Sequence, residues 1–257
     1  MRDYRMTLAY DGAAYSGWQV QPGKATVQEK IESALRKITG GAVRVVASGR
    51  TDAGVHAMGQ VASFRCRTRL QPSVLRRALE ANTPEDIHIR HLELAPFGFH
   101  AIRDAISKRY RYVIQDGPER DLFRRAYSWY IPRRLDVVGM RRAAGVLIGR
   151  HDFQSFQASG SPRLSSIRTV SALDVMRTKQ EFAESIVIEI EADGFLYNMV
   201  RNIVGSLVLV GRGRENVEWM GRVLAAGDRA HAGPTAPPHG LTLWKVRYRG
   251  DEESPTA

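Results

Sequence analysis

The sequence has a single cysteine, Cys66, among its 257 residues. One thiol cannot close an internal disulfide, and it cannot supply a site in which several cysteines bind a metal. The shortage therefore excludes small disulfide-stapled proteins and most zinc-binding classes. It also favours a reducing compartment, and we expect the protein to be cytoplasmic.

Long hydrophobic runs are missing as well. The apolar run Leu207–Val210 is far shorter than the roughly 20 residues that an α-helix needs to span a bilayer. The first residues, Met1–Arg5, carry charges where a secretory signal needs an apolar segment. We therefore expect a protein that neither crosses a membrane nor is secreted.

Acidic residues are outnumbered by basic ones. Against 27 Asp and Glu stand 38 Lys and Arg, which gives a formal net charge of +11. Such an excess attracts polyanions, and nucleic acid is the partner that it favours first, although it can also serve solubility alone. Cations between residues 65 and 77 and between 108 and 125 are candidates for contacts with a phosphate backbone.

Strand-like alternation and helical periodicity follow each other in a similar order in two parts of the chain. Before the first helix, Thr26 and Glu29 form a capping-box pattern. The sequence predicts an α+β fold of two similar α/β halves, residues 1–105 and 106–257, with mainly antiparallel sheets flanked by helices. A cleft between the halves is the expected place for the active site. The predicted strands cover residues 4–10, 43–47, 60–67, 87–94, 109–114, 127–131, 186–192 and 241–248, and one more strand is predicted between residues 163 and 186.

One loop predicted between two strands carries a candidate catalytic carboxylate, Asp52. Gly49 and Gly54 let the backbone of this loop approach a ligand, and the neighbouring Arg50 favours the ionised form of the carboxyl group. Such a carboxylate can act as a nucleophile, a general base or a metal ligand, but it can also cap a turn. The spacing alone leaves these interpretations open.

The segment Gly49-Arg50-Thr51-Asp52-Ala53-Gly54-Val55-His56 resembles the signature of the TruA family of tRNA pseudouridine synthases. Other segments resemble further family motifs in the order in which the family has them, so that the resemblance covers essentially the whole chain. These segments are Tyr10–Gly12, Tyr15–Gln19, Val27–Gln28, Arg109–Tyr112, Met199–Gly205 and Gly233–Pro237.

The resemblance implies isomerisation of uridine to pseudouridine at positions 38, 39 and 40 of the tRNA anticodon stem-loop, without a cofactor or a metal. It implies that Asp52 is the nucleophile, attacking either the ribose or the base, and that the target nucleotide is flipped out of the folded RNA. It further implies a homodimer in which one tRNA reaches across both subunits.

Three more residues are candidates for the site. By the resemblance, Tyr110 stacks on the flipped base and assists a proton transfer, although a strand tyrosine is also a common core residue. Arg201 lies at the edge of an apolar helix stripe, where a buried guanidinium needs a partner; we expect an ion pair with Asp52, the alternative being an exposed head group. Arg50 is expected to contact phosphate or to hold the Asp52 loop, unless it is merely solvated.

Two other functions use the same features. A non-catalytic RNA-binding or RNA chaperone protein would need only the basic surface. A hydrolase that acts on an anionic substrate through Asp52 would need a metal or a second carboxylate. Neither accounts for the full set of motifs.

A polar segment, residues 157–163, is in addition expected to move when RNA binds.

Overall fold

The computed structural model of the chain describes residues 1–158, 160, 165–180 and 183–251. The chain folds into two compact units, Met1–Lys108 together with the described residues from Leu243 onward, and Arg109–Thr242. The sequence predicted two contiguous halves divided at residue 105, whereas in the structure the last strand returns to the first unit. Most of the segment 157–163, namely residues 159 and 161–163, lies outside the described residues.

The first unit is a mainly antiparallel sheet with two helices. Strand β1 pairs antiparallel with β3 and β4, β2 pairs antiparallel with β3, and the strand order is β4-β1-β3-β10. Its elements are β1 (Arg2–Tyr10), α1 (Val27–Thr39), β2 (Val45–Ala47), β3 (His56–Cys66), α2 (Pro72–Glu80), β4 (Ile87–Leu94) and most of β10 (Leu241–Tyr248).

The hydrophobic pattern of this unit explains its core. Alternate residues of β1, from Tyr4 to Tyr10, are buried, as expected for a strand with one face on the core. In α1 the buried residues Val27, Ile31 and Leu35 recur every four positions and form the apolar stripe of the helix. The predicted strand and helix are therefore confirmed, and this packing fixes β1 and α1 beneath the loops that follow them.

The second unit repeats this plan with three helices. The strand order is β5-β9-β8-β7; β7–β8 and β8–β9 are antiparallel, whereas the short β6 pairs parallel with β5. Helix α3 packs against β8 and α4. The elements are β5 (Ala105–Asp116), β6 (Trp129–Ile131), α3 (Val137–Gly145), β7 (Gly149–Asp152), β8 (Ile167–Gln180), β9 (Ala183–Ala192), α4 (Met199–Gly211) and α5 (Trp219–Ala226).

The predicted fold class is confirmed: the structure is mixed α and β, with mainly antiparallel strand pairing flanked by the five α-helices of the described residues. Several strand bounds differ from the sequence prediction: β3 begins at His56 rather than at residue 60, and β5 begins at Ala105 rather than at residue 109. Strand β7 was not predicted, because its four residues show no alternation of apolar side chains. Strand β6 begins at Trp129 rather than at residue 127. No helix in the described part of the chain has the length and apolar character needed to cross a membrane.

A part-buried ion pair lies in the second unit. The carboxylate of Asp116 is fully buried and accepts hydrogen bonds from Arg177 Nη1 at 2.6 Å, Arg177 Nη2 at 2.9 Å and the N–H of Leu135 at 2.8 Å. Arg134 Nη1 lies 3.6 Å from the same carboxylate. Burial alone raises the pKa of Asp116, but the hydrogen bonds from Arg177 and Leu135 outweigh it and hold the pKa below its ordinary value.

We expect Asp116→Asn to remove an acid-sensitive part of the stability. Because the folded-state pKa is lowered, the carboxylate stabilises the fold above its unfolded pKa of about 3.9, and this contribution is lost as the pH falls through the folded value. At pH 7 the variant should lose about 2 kcal/mol of unfolding free energy, and the gap from wild type should close toward pH 3. Urea unfolding between pH 7 and pH 3 measures this.

A matched control is Asp174→Asn, since Asp174 is an exposed carboxylate of β8. Its unfolding free energy should follow that of the wild type at every pH. A gap for Asp116→Asn that is equally large at pH 7 and pH 3 would contradict the interpretation.

Candidate active site

Asp52 lies on the loop that joins β2 to β3, as predicted. The two strands are antiparallel partners, with Val45 opposite Phe64. Within the loop, the N–H of Val55 donates to the carbonyl of Asp52 at 3.1 Å, and Gly54 has a φ of +74°. This is a tight turn, and it leaves the Asp52 side chain half-buried.

Buried polar side chains hold the residues just before this turn by hydrogen bonds. Gln60 Nε2 donates to the carbonyl of Gly49 at 2.8 Å, and Ser48 Oγ donates to Gln60 Oε1 at 2.8 Å. The hydroxyls of Tyr10 and Thr51 lie 2.8 Å apart in a hydrogen bond. Burial raises the pKa of Tyr10 to about 12, although its hydrogen bonds to Thr51 and Gln60 act in the opposite direction, so the phenol stays protonated.

A second loop, residues 11–18, makes backbone hydrogen bonds to the turn. The N–H of Trp18 donates to the carbonyl of Thr51 at 3.0 Å, and the N–H of Gly54 donates to the carbonyl of Tyr15 at 3.3 Å. Gly17 has a φ of +91°, and a Cβ there would lie 2.6 Å from the Thr51 carbonyl oxygen. Only glycine allows the two loops to approach this closely.

The same second loop is fixed to the start of α1. The N–H groups of Val27 and Gln28, at the first turn of the helix, donate to the carbonyls of Gly17 and Trp18 at 3.3 and 3.0 Å. The predicted side-chain cap is wrong in this respect, because the Thr26 hydroxyl is buried and makes no capping hydrogen bond. Backbone carbonyls satisfy the donors that a capping side chain would otherwise take.

His56 connects the first residue of β3 to this loop. Its Nδ1 atom accepts from the N–H of Gly12 at 3.0 Å and also lies 3.0 Å from Asp11 Oδ1. Nδ1 donates to Asp11 when it carries a hydrogen and accepts from Gly12 when it does not. Which of the two hydrogen bonds forms therefore depends on whether Nδ1 carries the hydrogen. In either state the buried imidazole holds the loop, in keeping with a packing role.

Arg50 is exposed beside Asp52. Within the described residues its guanidinium makes no hydrogen bond or ion pair. The side chain therefore does not hold the loop, and a phosphate contact and a merely solvated charge are the two interpretations left open for it. Arg65, another candidate cation, is instead bound to Asp3, with Nε–Oδ1 at 2.6 Å and Nη2–Oδ2 at 2.7 Å.

In the second unit, Tyr110 lies on β5 with only 7% of its surface exposed. Its ring meets that of Phe195 edge to face, with centroids 5.0 Å apart and an interplanar angle of 84°. Such packing fixes the ring plane, which suits a stacking platform and a core aromatic equally.

Arg201 lies in the first turn of α4 and is half-buried. Its Nε donates to the carbonyl of Ala236 at 2.7 Å and its Nη1 donates to Asn198 Oδ1 at 2.9 Å. Asn198 itself has a left-handed backbone, with a φ of +58°. Both acceptors are neutral, so they orient the guanidinium without neutralising its charge. The expected ion pair with Asp52 stays a prediction.

The segment Gly233–Pro237 packs directly on α4 and supplies the Ala236 carbonyl. A Cβ at Gly205 would lie 1.7 Å from the carbonyl oxygen of Pro234, and a Cβ at Gly233 would lie 2.8 Å from the Cα of Ser206. Glycines on both sides thus allow a backbone-to-backbone contact. Two motifs that are about 30 residues apart in sequence therefore pack together around Arg201.

A buried amide links these two segments further. Asn202 Oδ1 accepts from Thr235 Oγ1 at 2.7 Å and from Arg229 Nη2 at 3.1 Å, and its Nδ2 donates to the carbonyl of Phe156 at 2.8 Å. Sequence reasoning included Asn202, Gly205 and Thr235 in its motifs but did not connect them. The glycines of both motifs were the available signal, since they indicate a close backbone approach.

Two more of the candidate phosphate-binding cations, both on β5, are paired within the protein. Arg109 donates through Nε and Nη2 to Glu191 Oε2 at 2.9 and 2.6 Å, and Arg111 Nε donates to Glu189 Oε1 at 2.7 Å. The expectation that both line the backbone-binding surface is not supported, because acidic side chains of β9 already neutralise them.

Comparison with protein families matches residues 6–102 and 143–249 to a family described as tRNA pseudouridine synthase. The tRNA pseudouridine synthase A of Brevibacillus brevis is 44% identical to this chain over 248 residues, 96% of this chain and 100% of that protein. The protein of the same name from Shouchella clausii is 46% identical over 242 residues, 94% of this chain and 91% of that protein. The matched ranges include Arg50, Asp52 and Arg201, and Tyr110 lies between them.

A distant likeness appears among solved structures. An archaeal box H/ACA sRNP Nop10-Cbf5 complex matches with a TM-score of 0.33 and 10% sequence identity, covering 80% of this chain and 44% of that chain. A likeness at this level has no bearing on function.

We expect Gly205→Ala to disrupt the support of Arg201. A methyl group 1.7 Å from the Pro234 carbonyl oxygen must push residues 233–237 away from α4, at a cost of about 1–3 kcal/mol or more. The melting temperature should fall by several degrees. As a control, Gly221→Ala places a methyl group in open space within α5 and should stabilise the helix by about 0.5–1 kcal/mol. Equal melting temperatures for the two variants would show that the contact is tolerant.

Proposed function

Because this chain belongs to the TruA family of tRNA pseudouridine synthases, we propose that it isomerises uridine to pseudouridine in tRNA, at positions 38, 39 and 40 of the anticodon stem-loop. The observation that carries the proposal is the loop of Asp52, whose backbone is held on both sides of the residue while the carboxylate stays half-exposed. A carboxylate that only caps a turn does not need a loop fixed from two directions.

The reaction needs no oxidant, reductant or cofactor. The bond between N1 of the base and C1′ of the ribose breaks, the uracil turns, and a bond forms between C5 and C1′. C5 then loses its proton and N1 gains one, so that the product is an isomer of the substrate. In this proposal Asp52 is the nucleophile, and attack on C1′ of the ribose or on C6 of the base satisfies this balance equally.

The other candidate residues have distinct parts in the proposal. Arg201, oriented by Ala236 and Asn198, forms the ion pair that keeps Asp52 ionised. Tyr110, fixed by Phe195, stacks on the flipped uracil, and its hydroxyl assists the transfer of the C5 proton. Arg50 contacts a phosphate. Flipping the nucleotide costs a few kcal/mol, which stacking and phosphate contacts offset.

The homodimer, with one tRNA reaching across both subunits, is implied by the family resemblance, whereas the cytoplasmic location is inferred from the single cysteine. Sedimentation of the purified protein with and without tRNA tests the first of these, and a monomer in both conditions would refute it.

We expect Asp52→Asn to abolish the release of tritium from tRNA that carries uridine labelled at C5. An amide of the same shape cannot act as the nucleophile, so the rate should fall by ~10³-fold or more. The dissociation constant for tRNA should change by no more than about threefold, since the side chain keeps its volume. Turnover by Asp52→Asn at the wild-type rate would disprove the assignment, and tRNA binding without turnover by the wild type would favour an RNA chaperone.

We also expect Arg50→Gln to weaken tRNA binding without slowing the chemical step. Loss of one phosphate contact should lower the slope of log K against log salt by about 0.7–0.9, with KM raised several-fold and kcat unchanged. Arg44→Gln is the matched control, because Arg44 is an exposed arginine of the same unit that the proposal does not use. The same salt slope for Arg50→Gln and wild type would remove Arg50 from the binding surface.

A further inference from the structure

We infer that Gln60 is a positioning residue that sets the conformation of the Asp52 loop through its side-chain amide. Gln60 is fully buried on β3, and the amide uses both of its ends on the segment that precedes Asp52. The inference deepens the proposed function and depends on it, because it assumes that Asp52 is the nucleophile.

The geometry requires a side chain that carries both a donor and an acceptor. Gln60 Nε2 donates to the carbonyl of Gly49 at 2.8 Å and lies 3.4 Å from the hydroxyl oxygen of Tyr10, while Oε1 accepts from Ser48 Oγ at 2.8 Å. One end must therefore donate and the other must accept. An apolar side chain at this position would leave the part-buried Gly49 carbonyl without this donor.

A bulge in β3 lies next to Gln60. Leu8 of β1 lies opposite Gln60, but Tyr10 lies opposite Ala57, so β3 has one more residue than β1 in this interval. Such a bulge re-aims the side chains next to it and is common beside active sites. Here it brings Gln60 and Tyr10 together beneath the loop.

The connection to Asp52 is short. The amide anchors residues 48 and 49, and its neighbour Tyr10 anchors Thr51, the residue directly before Asp52. The carbonyl of Thr51 also accepts from the N–H of Trp18. If the hydrogen bonds from Gln60 and Tyr10 are lost, the backbone at 48–51 can shift. A displacement of about 1 Å in a nucleophile can lower the rate on the order of 10²-fold.

The test compares Gln60→Leu and Gln60→Glu with wild type in single-turnover tritium release at saturating enzyme, a rate constant that does not depend on the fraction of folded protein. We expect Gln60→Leu to lower this rate constant on the order of 10²-fold, with the dissociation constant for tRNA within about threefold of wild type. Loss of a merely structural contact would lower the melting temperature but would leave the rate constant unchanged.

Gln60→Glu adds a pH signature. A buried carboxyl has a raised pKa, and in its protonated form it can still donate to Gly49 and accept from Ser48. Among the described residues, Tyr10 and, through Ser48, Tyr248 are titratable side chains hydrogen-bonded to this network; burial raises the pKa of both, so neither should titrate near neutral pH. The rate relative to wild type should therefore be highest at low pH and fall as the pH rises through the pKa of Glu at this position.

Gln115→Leu is the matched control. Gln115 is also a buried glutamine, and its amide also holds a loop, accepting from the N–H of Asp121 at 2.8 Å and donating to the carbonyl of Asp121 at 3.3 Å. We expect this variant to lose a similar amount of stability and to keep the wild-type rate constant within about twofold.

The outcomes separate this inference from the proposed function. If wild type releases no tritium, the proposed function fails, and if Asp52→Asn is fully active, the assignment of Asp52 as the nucleophile fails. If both behave as proposed but Gln60→Leu keeps the wild-type rate constant, or slows no more than Gln115→Leu, only the role of Gln60 is overturned. Should Gln60→Leu fail to fold, Gln60→Glu still decides, since a relative rate that does not vary with pH contradicts the inference.

Discussion

The carbonyl of Thr51 accepts a hydrogen bond from the N–H of Trp18, and the arrangement around Asp52 depends on this contact. It requires a residue without a side chain at Gly17, because a Cβ there would collide with the same carbonyl. The carbonyls of Gly17 and Trp18 in turn accept the first N–H groups of α1. Hydrogen bonds between backbone atoms thus join the helix to the loop of residues 11–18 and this loop to the turn that carries Asp52, so a change in any of them is transmitted to that turn.

The second unit uses the same device around Arg201. Gly205 allows the carbonyl of Pro234 to approach α4, and two residues later the carbonyl of Ala236 accepts from the guanidinium. Both charged candidates therefore lie on segments whose positions are set by close backbone contacts. Contacts of this kind cannot be replaced by larger side chains, and they fix a functional group more rigidly than a long side chain pairing at the surface would.

The hydrophobic periodicity was sufficient to predict the fold class, because strands buried on one face and amphipathic helices leave a regular pattern. It failed where contacts rather than patterns decide. The predicted cap at Thr26 competes with backbone carbonyls that only the folded loop supplies. The pairing of Arg109 with Glu191 depends on which strands are neighbours, which no local pattern reveals. For the site, the motifs identified the segments, but the anchoring role of Gln60 required the three-dimensional contacts of its amide.

The anchors below Asp52 share one further property: they are neutral. Ser48, Gln60, Tyr10 and Thr51 form a hydrogen-bonded set in which burial keeps the phenol of Tyr10 protonated. A buried cation in that position would fix the loop equally well, but it would also pair with the carboxylate and weaken it as a nucleophile. With neutral side chains, fixing the loop and pairing with the carboxylate are done by different residues. The hydrogen bonds set the position of the loop, while another residue can supply the charge partner of Asp52. This division is what the proposed pairing with Arg201 requires.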